Sequence, residues 1–239
     1  MAELLRLDEV TAGYRDTVVL ERVSWAIGAN EAWALLGRNG VGKTTLLMTV
    51  MGLTTMRSGS LVFGGSDITA LDTHRRVQAG IGYVPQEREI FPSLTVEENL
   101  RVAIRPGEWT RERVYDLFPR LAERQRNYGN QLSGGEQQML AVGRALVGNP
   151  KLLLLDEPFE GLAPVIIDTL VTALTRLRRE SNIATILVEQ QVEIALEMTE
   201  HALVLDKGQT VWQGASSSLA ADHDNLATLV GLQEAEAVR

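Results

Sequence analysis

The chain contains no cysteine. Disulfides, thiolate metal sites and cysteine nucleophiles are excluded, and the composition is compatible with a reducing compartment. Histidine is scarce: His74, His201 and His223 share no metal-ligand spacing, and each reads as structural or solvated. No apolar run approaches the length of a bilayer span, Ile183-Ala184-Thr185-Ile186-Leu187-Val188 being among the longest. The first ten residues carry acidic side chains and no extended apolar segment, which predicts no secretory leader. Any membrane contact is therefore expected to go through partners. Basic residues are outnumbered, 23 Lys and Arg against 31 Asp and Glu, and the net charge of -8 argues against a nucleic-acid partner. Low-complexity tracts are missing. With 45% hydrophobic and 23% charged residues, the 239-residue chain is expected to be ordered, as one α/β domain or one with a small insertion.

What is present is organised around Gly37-Arg38-Asn39-Gly40-Val41-Gly42-Lys43-Thr44-Thr45. The stretch fits G-x-x-x-x-G-K-[ST], in which backbone N–H groups of a glycine-rich loop turn inward around phosphate oxygens and the lysine adds a point charge. Glu31–Leu36 reads as an apolar strand before it and Leu46–Met51 as a helix after it, which puts the phosphates at a helix N-terminus. A plain glycine turn is the bland alternative, and it does not require both flanking elements.

Before the loop, residues 4–27 alternate apolar and polar side chains. This predicts strands over Thr17–Leu20 and Val23–Ile27, a turn at Gly13 and an antiparallel sheet. Tyr14 either stacks an aromatic face on a purine or is a half-exposed loop residue. After the loop come a turn and short strand over residues 57–65, a helix over Thr73–Ala79 and a strand Ile81–Val84. Pro85 stops that strand and leaves Gln86 at a strand-to-loop junction, where its amide oxygen meets a metal or water, or merely solvent. Residues 87–149 change to helical periodicity, including Val96–Leu100 and Arg111–Phe118, as an inserted helical subdomain would. It closes on Leu132-Ser133-Gly134-Gly135-Glu136, a turn whose N-capping serine and paired glycines suit an anion, although an ordinary capped helix has the same letters.

The run Leu152–Leu155 then leads into Asp156 and Glu157, two carboxylates at the end of a strand of the kind buried in parallel sheets. Alternation along the strand points them differently, so one can face a metal and the other a water; a solvated acidic turn is the alternative. An amphipathic helix over residues 165–180 carries Ile166, Leu170, Leu174 and Leu177 on one stripe. A buried strand Ile183–Val188 ends at Glu189-Gln190-Gln191. A helix, a strand His201–Leu205, a turn at Lys207-Gly208 and a strand Thr210–Trp212 follow, and residues 215–239 read as a short helical tail.

No one of these motifs is decisive, but the ordered set resembles the nucleotide-binding subunit of an ATP-binding cassette (ABC) transporter over essentially the full length. The resemblance implies a P-loop NTPase (RecA-like) α/β core with an antiparallel β subdomain, about 1–86 and 150–239, and an inserted helical subdomain, about 87–149, in a single ABC ATPase domain spanning 1–239. It implies ATP and Mg²⁺ as cofactors. Gly37, Arg38, Asn39, Gly40, Val41, Gly42, Lys43, Thr44 and Thr45 are implied to hold the phosphates and Tyr14 the adenine. Gln86 senses the nucleotide's metal, and Ser133, Gly134, Gly135 and Glu136 cover the nucleotide bound by a second subunit. Thr44, Gln86 and Asp156 are the implied metal ligands, and Glu157 with Gln190 the catalytic pair.

Within the family, Tyr83–Gln86, Arg88–Pro92, Leu94–Leu100 and Glu160–Pro164 are similar to ATPases of branched-chain amino acid importers, and relatives serving urea or short amides share much of this wording. The implied partners are membrane permease subunits, with Phe91, Leu94 and Val96 as either candidate contacts or residues of this subunit's own core, a second ABC ATPase subunit in a homo- or heterodimer, and indirectly a solute-binding protein. The implied location is the cytoplasmic face of the inner membrane, through those partners. A soluble ABC scaffold that organises an assembly by ATP-driven dimerisation is the competing class. Three positions depart from the family pattern: Gln190 stands where most members have a switch histidine, Phe159 replaces the usual hydroxyl residue, and Ala163 aligns with the usual acid of the following loop.

Overall fold

The computed structural model describes residues 3–230. Its elements begin with β1 (Glu3–Tyr14), β2 (Thr17–Gly28), β3 (Ala32–Leu36), α1 (Lys43–Met51), β4 (Thr55–Phe63), β5 (Ser66–Asp67), α2 (Thr73–Ala79) and β6 (Ile81–Val84). A helical stretch follows: α3 (Val96–Arg101), α4 (Arg111–Leu117), α5 (Pro119–Glu123), a 3-10 turn (Gly129–Gln131) and α6 (Gly134–Leu146). The remainder is β7 (Leu152–Asp156), α7 (Pro164–Glu180), β8 (Ala184–Val188), α8 (Val192–Met198), β9 (His201–Asp206), β10 (Gln209–Ala215), α9 (Ser216–Ala221) and α10 (His223–Val230). The helical tail expected over 215–239 is seen as α9 and α10, and its last part lies outside the described residues. Among the described residues no helix is long and apolar enough to cross a membrane.

The chain divides into two compact units, one running to Ala79 and resuming at Ala184, the other Gly80–Ile183. In the first, β2-β1-β4-β5 form an antiparallel sheet. Leu5, Leu7, Val10 and Ala12 of β1 and Leu20, Val23, Trp25 and Ile27 of β2 turn inward, the alternation expected of a half-buried sheet. Three local expectations are corrected. The region from Thr17 to Gly28 is one strand, because Arg22, at φ 50°, absorbs an irregularity without ending the pairing with β1. Gly13 lies inside β1 rather than in a turn. A Cβ there would sit 2.0 Å from the Thr17 carbonyl oxygen, so the glycine serves close strand approach, and the turn falls at Arg15 and Asp16. The anticipated short strand after residue 57 is likewise longer, β4 pairing with β1 from Thr55 onward through a register shift.

In the same unit β3 pairs in parallel with β8 on one side and β9 on the other, and β10 returns antiparallel to β9. All five residues of β3 are buried, as the sequence predicts for a strand covered on both faces. One polar residue fastens this unit internally. Arg76 of α2 is only 2% exposed, and its guanidinium donates to four backbone carbonyls: Leu71 (2.8 Å), Thr49 (2.9 Å), Val50 (3.0 Å) and Thr69 (2.9 Å). Thr49 and Val50 lie in the last turn of α1, so the cation sits at the negative end of the helix that starts at the glycine loop. Burial pulls the Arg76 pKa below the ordinary guanidinium value.

The second unit pairs β6 with β7 in parallel, Ile81 opposite Leu152 through Val84 opposite Leu155. Val96, Leu100, Val114, Phe118, Leu121, Leu140 and Val142 supply its helical core. Thr95 and Glu98 form a reciprocal capping box at α3, with hydrogen bonds from the Thr95 amide and hydroxyl holding the Glu98 carboxyl below its usual pKa. Asn99, wholly buried, accepts from the Phe91 amide and donates to the carbonyls of Phe91, Leu94 and Thr95, which pins the loop before α3.

Arg76→Met strips four carbonyls of a charged donor in a buried position. The expected loss is about 3 kcal/mol of folding stability, read as a lowered urea midpoint; an unchanged midpoint would show that those carbonyls find other partners.

Candidate functional site

In the first unit the loop after β3 is a cradle by construction. Gly37 has φ 139°, and a Cβ there would stand 2.3 Å from the Leu205 carbonyl oxygen, so a side chain is excluded on both counts. Gly42, also left-handed, is the N-cap of α1, and it gives no side-chain cap to a helix with no acidic residue in its first turn. The start of α1 thus has no capping side chain and no acidic residue of its own, and the positive end of its dipole suits an anion. Lys43, 5% exposed, folds its ammonium back on the loop, donating to the carbonyls of Gly37 (2.8 Å) and Arg38 (3.0 Å). Arg38, Asn39 and Gly40 are exposed at the rim, whereas Val41 and Thr45 are buried beneath it and Thr44 is half-buried. A bound phosphate group fits this donor set.

Two further residues assigned from the sequence belong to this unit. Tyr14 ends β1 with 43% of its surface exposed, an aromatic face open to a ligand. Gln190 follows β8, and its side-chain oxygen accepts a long 3.5 Å contact from the Asn39 amide of the phosphate loop. Its backbone N–H donates to Glu189 Oε2 (3.0 Å), and that of Gln191 to the same atom (3.4 Å). Glu189, 3% exposed, is a residue whose role was not read from the sequence: it fixes the turn that carries Gln190.

In the second unit the ends of β6 and β7 carry the acidic cluster. Asp156 Oδ2 accepts from the Tyr83 hydroxyl at 3.1 Å, and Glu157 Oε2 accepts from Gln86 Nε2 at 3.3 Å. The two carboxylates thus have different partners, as strand alternation predicts, and both are nearly buried, at 1% and 8% exposure. Glu157 has φ 47°, a left-handed conformation that costs a non-glycine residue energy. The same Gln86 nitrogen also hydrogen-bonds Glu160, an acidic residue that no sequence pattern singles out.

Ser133 caps α6, its Oγ accepting from the Glu136 amide (3.3 Å) while Glu136 Oε2 accepts from the Ser133 amide (2.8 Å) and hydroxyl (2.9 Å). Burial pushes the Glu136 carboxyl up, but these bonds and the nearby Arg124 and Arg120 outweigh it, and its pKa is lowered. Gly135 lies against Ile166, where a Cβ would come within 2.5 Å of the isoleucine side chain, and Gly134 lies near Arg88. Of the suggested partner contacts, Phe91 is 46% exposed and lies under the Arg144 guanidinium at 5.0 Å, and Leu94 is half-buried. Val96 is corrected: it is wholly buried in the helical core and offers nothing to a partner, since the position directly after the Thr95 cap faces inward. Among the described residues no group of three or more His, Cys, Asp or Glu side chains is arranged to hold a metal.

Residues 20–160 match the family model described as ABC transporter. The chain is 41% identical over 224 residues to the high-affinity branched-chain amino acid transport ATP-binding protein BraG of Pseudomonas aeruginosa, covering 90% of this chain and 94% of the relative. It is 38% identical to a probable branched-chain amino acid transport ATP-binding protein, LivF, of Archaeoglobus fulgidus, with the same coverages of 90% and 94%. It is also 33% identical to the lipopolysaccharide export system ATP-binding protein LptB of Haemophilus influenzae, over 96% of this chain and 98% of the relative. Among solved structures, cbiO1 of Clostridium perfringens, part of the ABC transporter complex cbiONQ, superposes with a TM-score of 0.80 at 26% identity, covering 95% of this chain and 94% of the other. A nucleotide-free ATP-binding cassette of an ABC transporter gives 0.78 at 25% identity, covering 90% and 92%. Fold and activity now agree with the motif order: the chain belongs to the ABC transporter family, as one of its ATP-binding, ATP-hydrolysing subunits.

Proposed function

We propose that the chain powers import of branched-chain amino acids through separate membrane permease subunits, at the cytoplasmic face of the inner membrane. The observation that carries this reading is the 41% identity to BraG over nearly the whole of both chains. The lower identity to LptB, 33%, supports export as the second reading. ABC ATPases of transporter complexes work as dimers with membrane subunits; here the second ATPase subunit is a copy of this chain or a different one, and a solute-binding protein acts indirectly.

The glycine loop from Gly37, with Lys43 and the first amides of α1, binds the triphosphate, and Tyr14 takes the adenine. Thr44, Gln86 and Asp156 offer hard oxygen donors of the kind that suit Mg²⁺, which when bound neutralises phosphate charge. Glu157 orients a water and accepts its proton, held in place by the Gln86 amide. Gln190 contributes a neutral amide to the γ-phosphate; it cannot become cationic, so its contribution is a hydrogen bond rather than charge neutralisation. Ser133, Gly134, Gly135 and Glu136 cover the nucleotide of the opposite subunit in the dimer. Phosphoryl transfer asks mainly for positioning and charge stabilisation, so closure of two incomplete sites completes both.

Glu157→Gln should retain ATP binding, cut hydrolysis at least about 100-fold and trap a dimer on size exclusion; normal turnover would remove Glu157 from its role. Lys43→Ala should weaken ATP binding at least about tenfold, measured by calorimetry, and unchanged affinity would contradict the cradle. For the solute, the assembled complex in proteoliposomes should show ATPase activity stimulated by leucine, isoleucine or valine. Stimulation by urea or short amides alone would transfer the reading to those solutes, and purification with soluble partners only, never with hydrophobic subunits, would favour a scaffold.

A further inference from the structure

We infer that Glu160 is a positioning residue for this ATPase, one that fixes which end of the Gln86 amide faces the metal. The inference rests on the proposed role of Gln86 as a ligand of the nucleotide's divalent ion. After β7 the chain makes a tight turn in which the Glu160 amide donates to the Glu157 carbonyl at 3.2 Å. Phe159, 1% exposed, anchors that turn in the core. The turn leaves the Glu157 side chain nearly buried and the Glu160 side chain exposed, yet both reach the same atom, Gln86 Nε2.

An amide nitrogen carries two hydrogens, and here one is available to each carboxylate. A carboxylate only accepts, so turning the amide over would set its oxygen against two negative groups. The pair therefore selects one of two otherwise near-equivalent orientations of the amide. Oε1 is left on the opposite edge of the amide plane, as the only atom of the side chain available to a cation. Glu157 alone would supply one acceptor, through the longer 3.3 Å contact. Glu160 supplies the second, and it acts through Gln86.

The test is the divalent-ion dependence of nucleotide binding by the full chain, with Mn²⁺ as a spectroscopic probe in place of Mg²⁺ and a slowly hydrolysed ATP analogue. Glu160→Ala should weaken Mn²⁺ binding to the nucleotide complex roughly three- to tenfold, while analogue binding in excess chelator stays unchanged. Glu160→Gln donates as well as accepts and tolerates either orientation of the Gln86 amide, so it should stay impaired, whereas Glu160→Asp, which only accepts, should recover part of the loss. Wild-type Mn²⁺ affinity in Glu160→Ala, or full recovery in Glu160→Gln, would overturn the positioning role. Gln86→Ala separates this from the underlying reading. If it leaves Mn²⁺ affinity intact, Gln86 is not a metal ligand and both ideas fall. If it weakens Mn²⁺ while Glu160→Ala does not, only the inference about Glu160 falls.

Discussion

A charge cannot sit in the middle of a strand whose residues are all buried unless something pairs with it, because desolvation costs far more than one weak contact returns. β3 and β7 are buried at every position, and the first four residues of each are apolar or small. Polar chemistry is therefore expelled to the ends: the glycine loop begins where β3 stops, and Asp156 closes β7 with Glu157 directly after it. The carboxylates that remain nearly buried there survive because each has a donor, Tyr83 for Asp156 and Gln86 for Glu157. In open α/β sheets ligands gather at the carboxyl ends of strands for the same reason.

The same accounting explains the helix starts. α3 and α6 each open on a capping box, Thr95 with Glu98 and Ser133 with Glu136, so their first amides are satisfied from within the chain. α1 opens on Gly42 with no side-chain cap, and its last turn is held instead by the guanidinium of Arg76. One helix thus has carbonyls of its last turn satisfied by a buried cation while its start carries a glycine in place of a capping side chain, so that the two ends of the same element are treated differently. The Glu157–Glu160 turn shows a related economy: Phe159 adds apolar burial, and the carboxylate that follows is presented to Gln86.

Legibility varied with how local the determinant was. The phosphate loop, α2, β6, the β7 carboxylates and the Ser133 cap were all readable, because each is specified by a few adjacent residues whose chemistry has one structural use. The break wrongly assigned around Glu21 and Arg22, and the turn wrongly placed at Gly13, had a common cause: a bulge and a close strand approach use the same residues as turns do, and only the pairing partner distinguishes them. Val96 misled in the same way, as an apolar residue in a loop-to-helix junction that fits either a partner or the core. Glu160 and Glu189 carried no signal beyond their proximity to named motifs, since an acidic residue near a strand end is usually solvated.

By itself the sequence determined the local frame of the candidate site: the glycine pattern, Lys43, the capped Ser133 turn and the two carboxylates after four leucines each follow from short-range constraints on backbone geometry and burial. Only the tertiary structure decided how those groups are held. That Arg76 closes α1, that Glu189 ties down the Gln190 turn and that Glu157 and Glu160 share the Gln86 amide depend on contacts between residues whose separation in the chain carries no periodic or motif signature. Hydrogen bonds of this kind are set by where packed elements bring donors and acceptors together, and packing is a property of the folded chain as a whole.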